Sequence, residues 1–332
     1  MTLTLPNFIK PYWSLIKGDQ PALQLKHIAK QVGLPLIGLT LFMLLWQVSA
    51  SQINTSLGQF PSPAMVLTQA NNLLDEHQEA RDKEARFYER QEVRNAKKLA
   101  KNPDYIAKKR TYTGAPTFID QIFTSIITVM AGFLMAALIA IPVGIVIGLS
   151  ASLYTAVNPI IQLFKPVSPL AWLPLVTMIV SALYTADDPL VSKSFLNSMI
   201  TVTLCSLWPT MINTAVGVSS VDKDLVNVSK VLRLGWFTHV QKIVIPSSIP
   251  MIFTGLRLSL GIAWMVLIAA EMLAQNPGLG KFVWDEFQNG SSASLSRIVA
   301  AVIVIGFIGF ILDRTMLSIQ RWVSWDKQSL SL

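Results

Sequence analysis

Val221-Asp222-Lys223-Asp224-Leu225-Val226-Asn227-Val228-Ser229-Lys230-Val231-Leu232-Arg233-Leu234-Gly235-Trp236 opens a polar stretch that runs on through Phe237–Ile245 to Pro246 and Ser247. Long apolar segments flank it on both sides. Leu225, Val228, Val231 and Leu232 recur at helical spacing, with Lys223, Asn227, Lys230 and Arg233 on the other side. Gly235 is placed to take the left-handed conformation that ends a helix. A second short helix is expected from Trp236 to about Ile245, with Pro246 stopping its continuation. The result is a helix-turn-helix hairpin held between membrane spans. It is too polar for lipid and too apolar for an idle linker.

The rest of the chain supports a membrane setting. Of its 332 residues, 52% are hydrophobic and 14% charged, with a mean hydropathy of +0.48. Soluble domains carry about 25% charged residues. The net charge of +8 is first a topology signal in such a protein. Its basic residues are not gathered into one folded module, which argues against nucleic-acid binding. The single cysteine, Cys205, lies in an apolar span and reads as a small core hydrophobe. No short apolar segment with a small-residue cleavage site marks a signal peptide.

Residues 1–33 mix lysines with aromatics, a composition suited to the membrane surface on the cytoplasmic side. Residues 34–50 form a first span, just long enough to cross. Residues 51–119 form an external segment in which about Pro63 to Lys101 reads as a solvated helix stabilised by i,i+4 charge pairs. Its length frees its charges from the positive-inside rule. This insertion is read as lying outside the transport core, available to an external partner. Five further spans occupy 120–323: Gln121–Ser150, Asn158–Tyr184, Ser194–Val216, Met251–Ala274 and Arg297–Val323. Pro159, Pro166, Pro169 and Pro174 crowd the second of these, and the carbonyls they free must face protein or a water-lined cavity. An external turn at Thr185–Lys193 carries Asp187 and Asp188. Alternating from a cytoplasmic N-terminus puts the hairpin (221–247) and the tail (324–332) inside. The fold class is therefore all-α, a polytopic transmembrane helical bundle of about six spans.

The hairpin's close, Ile243-x-Ile245-Pro246, resembles the "EAA" loop of importer permeases of the ATP-binding-cassette type. There the Glu-Ala-Ala slot falls on Asn227-Val228-Ser229, and the following Gly slot holds Arg233, with Gly235 two residues late. Further strings are similar to the nitrate, sulfonate and taurine permease group. They are Lys165-Pro166-Val167-Ser168-Pro169-Leu170-Ala171-Trp172-Leu173-Pro174, Thr254-Gly255-Leu256-Arg257, and Ala270-Glu271-Met272-Leu273 leading to Gly278-Leu279-Gly280. Pro61-Ser62-Pro63 before a helix also looks like the group. Thr113-Gly114-Ala115-Pro116-Thr117 with Ile122-Phe123-Thr124-Ser125 looks most like nitrate/nitrite and bicarbonate permeases of cyanobacterial type. The resemblance implies a type I importer permease of the bacterial inner membrane, pairing as a homodimer. It implies two cytoplasmic ATPase subunits that use ATP and Mg, an external solute-binding protein, and no cofactor in this chain. It implies that Asp224, Asn227, Ser229, Lys230, Arg233, Gly235, Ile243 and Pro246 couple the chain to the ATPases. The apolar stripe is expected in the ATPase groove or against a neighbouring helix, and Asn227, Lys230 and Arg233 at the partner's rim.

Charges at membrane depth are costly and mark candidate positions on the path. These are Lys165, near the inner end of its span, Arg257, one or two turns into its span, and Glu271 near an outer end. Trp172, Trp208 and Trp264 are candidates to shape a constriction, although helix packing and interfacial belts explain most membrane tryptophans. No catalytic or metal-binding set is expected, since His27, His77 and His239 fall on different sides or far apart. Gly278-Leu279-Gly280-Lys281 lacks the earlier Gly and following Ser or Thr of a nucleotide loop. The runner-up readings are a bicarbonate, cyanate or sulfonate importer, and, from a different class, an ion-coupled secondary transporter. The latter needs buried ionisable relays, of which this chain has few, and no inverted repeat of the kind many such transporters carry is found.

Overall fold

The computed structural model describes residues 26, 29–55, 58–102, 105–185 and 191–323. The interfacial N-terminus, the turn carrying Asp187 and Asp188, and the tail 324–332 lie largely or wholly outside these. Among the described residues, five helices are long and apolar enough to cross a membrane, six if one bent pair counts as a span. The expected all-α bundle is thereby confirmed.

Helix α1 (Leu34–Gln52) follows a π-turn at Ala29–Gly33. A two-residue hairpin, β1 (Asn54–Thr55) with β2 (Gly58–Gln59), leads to the 39-residue α2 (Pro63–Lys101). Ser62 caps α2 and Pro63 fills its first position, where a missing N–H costs nothing. Helix α3 (Phe118–Gly148) begins with a reciprocal cap: Thr117 Oγ1 accepts from Asp120 N, and Asp120 accepts from Thr117 N. Helices α4 (Ala151–Phe164) and α5 (Pro169–Leu183) follow, then α6 (Lys193–Ser219). The hairpin helix α7 (Lys223–Val231), the short α8 (Trp236–His239), and the long α9 (Ile245–Ala274) come next. The chain ends with α10 (Leu279–Asn289) and α11 (Ser292–Val323).

Helices α3, α6 and α9 form the centre. Their contact lines are set by small residues: a Cβ at Gly132 of α3 would lie 2.7 Å from Val202 and 2.9 Å from Met199 O of α6. A Cβ at Gly255 of α9 would lie 2.9 Å from Thr210 Cα and 3.0 Å from Pro209 O. Lipid supplies no hydrophobic force between helices, so close backbone approach and hydrogen bonds hold them. Thr210 and Ser259, both buried, share a 2.7 Å bond across α6 and α9, and Thr203 Oγ1 donates to Gly132 O at 3.1 Å. Gly132→Leu is expected to force the α3–α6 pair apart and cost about 1–3 kcal/mol, as overpacking does. A thermal melt of the purified protein checks this, and an unchanged midpoint would refute close packing at Gly132.

Three expectations are corrected. The span expected over Asn158–Tyr184 is two helices, α4 and α5, meeting at 97°. Pro166 and Pro169 cannot donate, and Ser168 before Pro169 is extended at φ −63°, ψ 143°, so the chain turns at Lys165–Ser168. Pro246 does not end its helix. The π-turn Val240–Val244 lets Ile245 N donate five residues back to Val240 O, and Pro246 sits harmlessly in the first turn of α9. The whole run Trp236–Ala274 therefore acts as one long helical element. Finally, the left-handed residue of the hairpin is Arg233 (φ 49°), whereas Gly235 is extended at φ −63°, ψ 157°.

Candidate functional site

The bundle has a hairpin end and an opposite end, called the arm end, where α2 meets the start of α3. Helices α3, α6 and α11 run toward the hairpin end, and α9 returns from it. At that end Asp222 caps α7, its Oδ1 accepting from Asp224 N at 2.9 Å. Arg233 N donates to Lys230 O and Leu234 N to Ser229 O, which closes the turn. Ser229, 5% exposed, faces inward and meets His239 Nδ1 at 2.8 Å, so the two arms of the hairpin are latched together.

This inward latch turns the apolar stripe outward. Leu225 (44%), Val228 (50%), Val231 (81%) and Leu232 (63%) are exposed, and Trp236 (63%) and Phe237 (70%) extend the patch. Exposed apolar surface of this kind is the class of feature that marks interaction sites. Asn227 and Lys230 lie on the other side of the helix, as their spacing predicts. They line, with Lys223 and His239, a cavity of about 790 Å³ between α7 and the α3–α4 turn. Arg233 and Gly235 are exposed at the turn, Ile243 is half-buried in the π-turn, and Pro246 is exposed beyond it. The sequence reading did not single out Trp236 and Phe237 as part of this exposed patch, although two adjacent aromatics in a polar hairpin are themselves a signal.

The path candidates separate into two groups. Lys165 is exposed at the α4–α5 bend and, among the described residues, has no ion-pair partner. The bend is deeper than expected. Phe164 stacks on Trp208 (6.4 Å between centroids, 7° between planes), and Trp208 lies a little past the middle of the 27-residue α6. Trp172 of α5 packs on the other side of Phe164 at 5.9 Å. The indole N–H groups of Trp172 and Trp208 are both buried without a hydrogen-bond acceptor.

Arg257, Trp264 and Glu271 are held by the bundle itself. Arg257 makes a two-pronged ion pair with Asp313 of α11, at 2.6 and 3.0 Å. The lone cation expected on this span is thus half of a pair, and the sequence reading overlooked Asp313. Trp264 is 7% exposed, donates to Ile305 O at 3.0 Å, and packs over Gly309, so it fastens α9 to α11 and shapes no constriction within this chain. Glu271 is fully buried and accepts bonds from Ser125 Oγ and Gly280 N, as a helix-end partner does. A neutral variant of either Arg257 or Asp313 leaves the other charge unpaired at membrane depth. Arg257→Gln is therefore expected to lower the yield of folded protein, and Arg257→Gln with Asp313→Asn to recover it. A double variant no better than the single one would refute the pairing.

Comparison with known proteins identifies the family. Residues 140–325, which include the whole hairpin, match the family of the binding-protein-dependent transport system inner membrane component. The nitrate import permease protein NrtB of Synechococcus elongatus is 37% identical over 204 residues, 61% of this chain and 69% of that protein. The bicarbonate transport system permease protein CmpB of the same organism is 31% identical over 291 residues, 87% and 88% of the two chains. A chain of the MetNI methionine ABC transporter in an inward-facing conformation shares the fold, with a TM-score of 0.53 at 13% identity, covering 62% of this chain and 96% of that one. The family expected from the hairpin, the Lys165–Pro174 string and the Glu271–Gly280 string is the one found. The chain belongs to the binding-protein-dependent transport system inner membrane components, as the membrane-spanning permease subunit of an ABC importer.

Proposed function

We propose that the chain carries a small inorganic oxyanion inward, and that the anion is nitrate or nitrite. The observation that carries this is the α4–α5 bend. It puts Lys165, exposed and without an ion-pair partner among the described residues, at a break in a span, and the preceding Phe164 packs on Trp172 and Trp208, whose indole donors lack acceptors. A planar oxyanion offers only acceptors, and Lys and Trp offer only donors. Three nitrate permeases are 36–39% identical to the chain, which supports the choice of anion. The second reading, bicarbonate, rests on the match to CmpB over 87% of the chain, which extends beyond the transport core.

In this reading two copies pair, their hairpin ends face the cytoplasm, and both termini lie inside. Each hairpin's exposed apolar patch takes one separate ATPase subunit, which binds ATP and Mg. A solute-binding protein delivers the anion at the arm end. Loss of one charge-assisted bond costs about 1.5–3 kcal/mol. Lys165→Gln is thus expected to cut uptake of labelled nitrate in proteoliposomes roughly tenfold or more, with the ATPases still bound. Competition by excess bicarbonate separates the two anions. Uptake in Lys165→Gln equal to the parent's would remove Lys165 from the path.

A further inference from the structure

The long helix α2 is expected from sequence to be a solvated insertion, but its two halves differ. The first is built into the bundle. Leu73, 2% exposed, belongs to the main core, and Trp46 Nε1 of α1 donates to Pro61 O just before α2. Glu76 pairs with Arg297 of α11. His77 meets Thr117 at 2.7 Å, and Arg81 pairs with Asp120 at 2.9 Å. The second half leaves the bundle and is zipped to the returning chain. Arg110 N donates to Gln91 Oε1 at 2.7 Å, Asn95 Nδ2 to Lys108 O at 3.0 Å, and Tyr112 N to Tyr88 Oη at 3.2 Å. From Arg81 to Lys101 is 20 residues, a reach of about 30 Å.

Charge divides along the same line. Residues 63–84 hold five Asp/Glu and two Lys/Arg, a net of −3. Residues 85–110 hold nine Lys/Arg and three Asp/Glu, a net of +6 within a chain total of +8. Arg86, Arg90, Arg94, Lys97 and Lys101 share one exposed helix face, turned away from the returning chain, which binds through Tyr88, Gln91 and Asn95. Arg86/Arg90, Arg90/Arg94 and Lys97/Lys101 are like-charge pairs at i,i+4, each of which destabilises an isolated helix. A solvated spacer needs neither this repulsion nor the zipper that holds it in place. An acidic surface laid along the ridge relieves the repulsion. A bilayer is a poor occupant, since a helix lying in headgroups needs an apolar face, and Phe87 is occupied by Tyr112 at 5.6 Å.

We propose that residues 86–102 with 105–110 form a docking arm for an acidic flank of the solute-binding protein. This rests on the transport reading above, which places the arm end outside, where that protein must land. The arm steers the incoming protein by long-range attraction and holds it by its side, away from the transport core.

The test uses the permease–ATPase complex in nanodiscs, with ATP hydrolysis followed as the solute-binding protein is titrated in. Arg90→Glu with Arg94→Glu and Lys97→Glu should raise the half-saturating concentration about tenfold, with the maximum rate unchanged. Glu89→Lys, which adds to the ridge, should lower it. Raising salt should weaken the parent more than the triple variant. A parent stimulated normally and a triple variant with the same half-saturation would overturn the arm while sparing the transport reading. A parent that the solute-binding protein does not stimulate at all would overturn both. Loss of binding to anionic-lipid vesicles with half-saturation unchanged would assign the ridge to a lipid surface and overturn the proposal.

Discussion

Phe237→Asp combined with Val231→Asp is expected to abolish recovery of the ATPase subunits on tagged permease, while the permease itself inserts and purifies normally. The six apolar side chains Leu225, Val228, Val231, Leu232, Trp236 and Phe237 form one outward patch, with Val231 at 81% and Phe237 at 70% exposure. Each contributes about 1.5–3 kcal/mol when fully buried against a partner. Aromatic anchors dominate such interfaces. A carboxylate in place of one anchor forfeits that burial and must be desolvated unpaired. Loss of about 3 kcal/mol per position is more than a hundredfold in affinity, so two positions leave no complex to recover. The hairpin's own fold is spared, because the Asp222 cap and the Ser229–His239 latch lie elsewhere. ATPases recovered at parental levels on the double variant would end the assignment of this patch.

Two turn variants sharpen the point. Gly235 is extended, and a Cβ there meets nothing within 4 Å, so Gly235→Val is expected to leave association unchanged. Arg233 is the residue at positive φ, which costs an L-residue about 1–2 kcal/mol, so Arg233→Gly should stabilise the turn. The sequence pointed to the glycine because glycine is the usual occupant of that conformation. The family's glycine slot, which falls on Arg233, was the one sign in the sequence that the arginine had taken it.

That contrast recurs across the molecule. Hydropathy made the spans legible, because an apolar run in lipid has few folds open to it. The broken span was legible only as trouble: the prolines announced freed carbonyls without announcing a 97° bend. Lys165 and Arg257 looked alike as isolated cations in sequence. What separates them is Asp313, 56 residues beyond Arg257 and beside it only because α9 and α11 pack together. The polarity of α7 was read correctly, and the sequence left open whether its apolar stripe meets a neighbouring helix or stays outward. That choice depends on Ser229 finding His239 across the turn, a contact no periodicity predicts. The arm's first half hid its anchors for the same reason, since Glu76 meets Arg297 far along the chain.

Glu271→Ala is expected to lower the thermal midpoint of the purified permease on the order of 10 °C, whereas Glu271→Gln should keep most of the parent's stability. The carboxylate is fully buried at the arm end of α9 and accepts from Ser125 Oγ at 2.8 and 2.9 Å and from Gly280 N at 3.0 Å. Ser125 Oγ in turn accepts from Leu279 N at 2.8 Å. One side chain thus ties the first turns of α3, the end of α9 and the start of α10. The glycines around it are there for room: a Cβ on Gly278 would run into the Glu271 carboxylate, and one on Gly280 into Ile268 O. Alanine leaves Gly280 N and the Ser125 hydroxyl unpaired in a dry site, at about 1–3 kcal/mol each, and opens a cavity besides. A total of roughly 3–5 kcal/mol corresponds to that shift at 2–4 °C per kcal/mol. Glutamine keeps an acceptor for Gly280 N, and its amide has a lone pair of Ser125 Oγ to donate to. Gly280→Ala is expected to reproduce the alanine phenotype from the other side of the same contact. Equal midpoints for Glu271→Ala and Glu271→Gln would show that packing alone, and not the hydrogen-bonded carboxyl, holds the arm end of the bundle together.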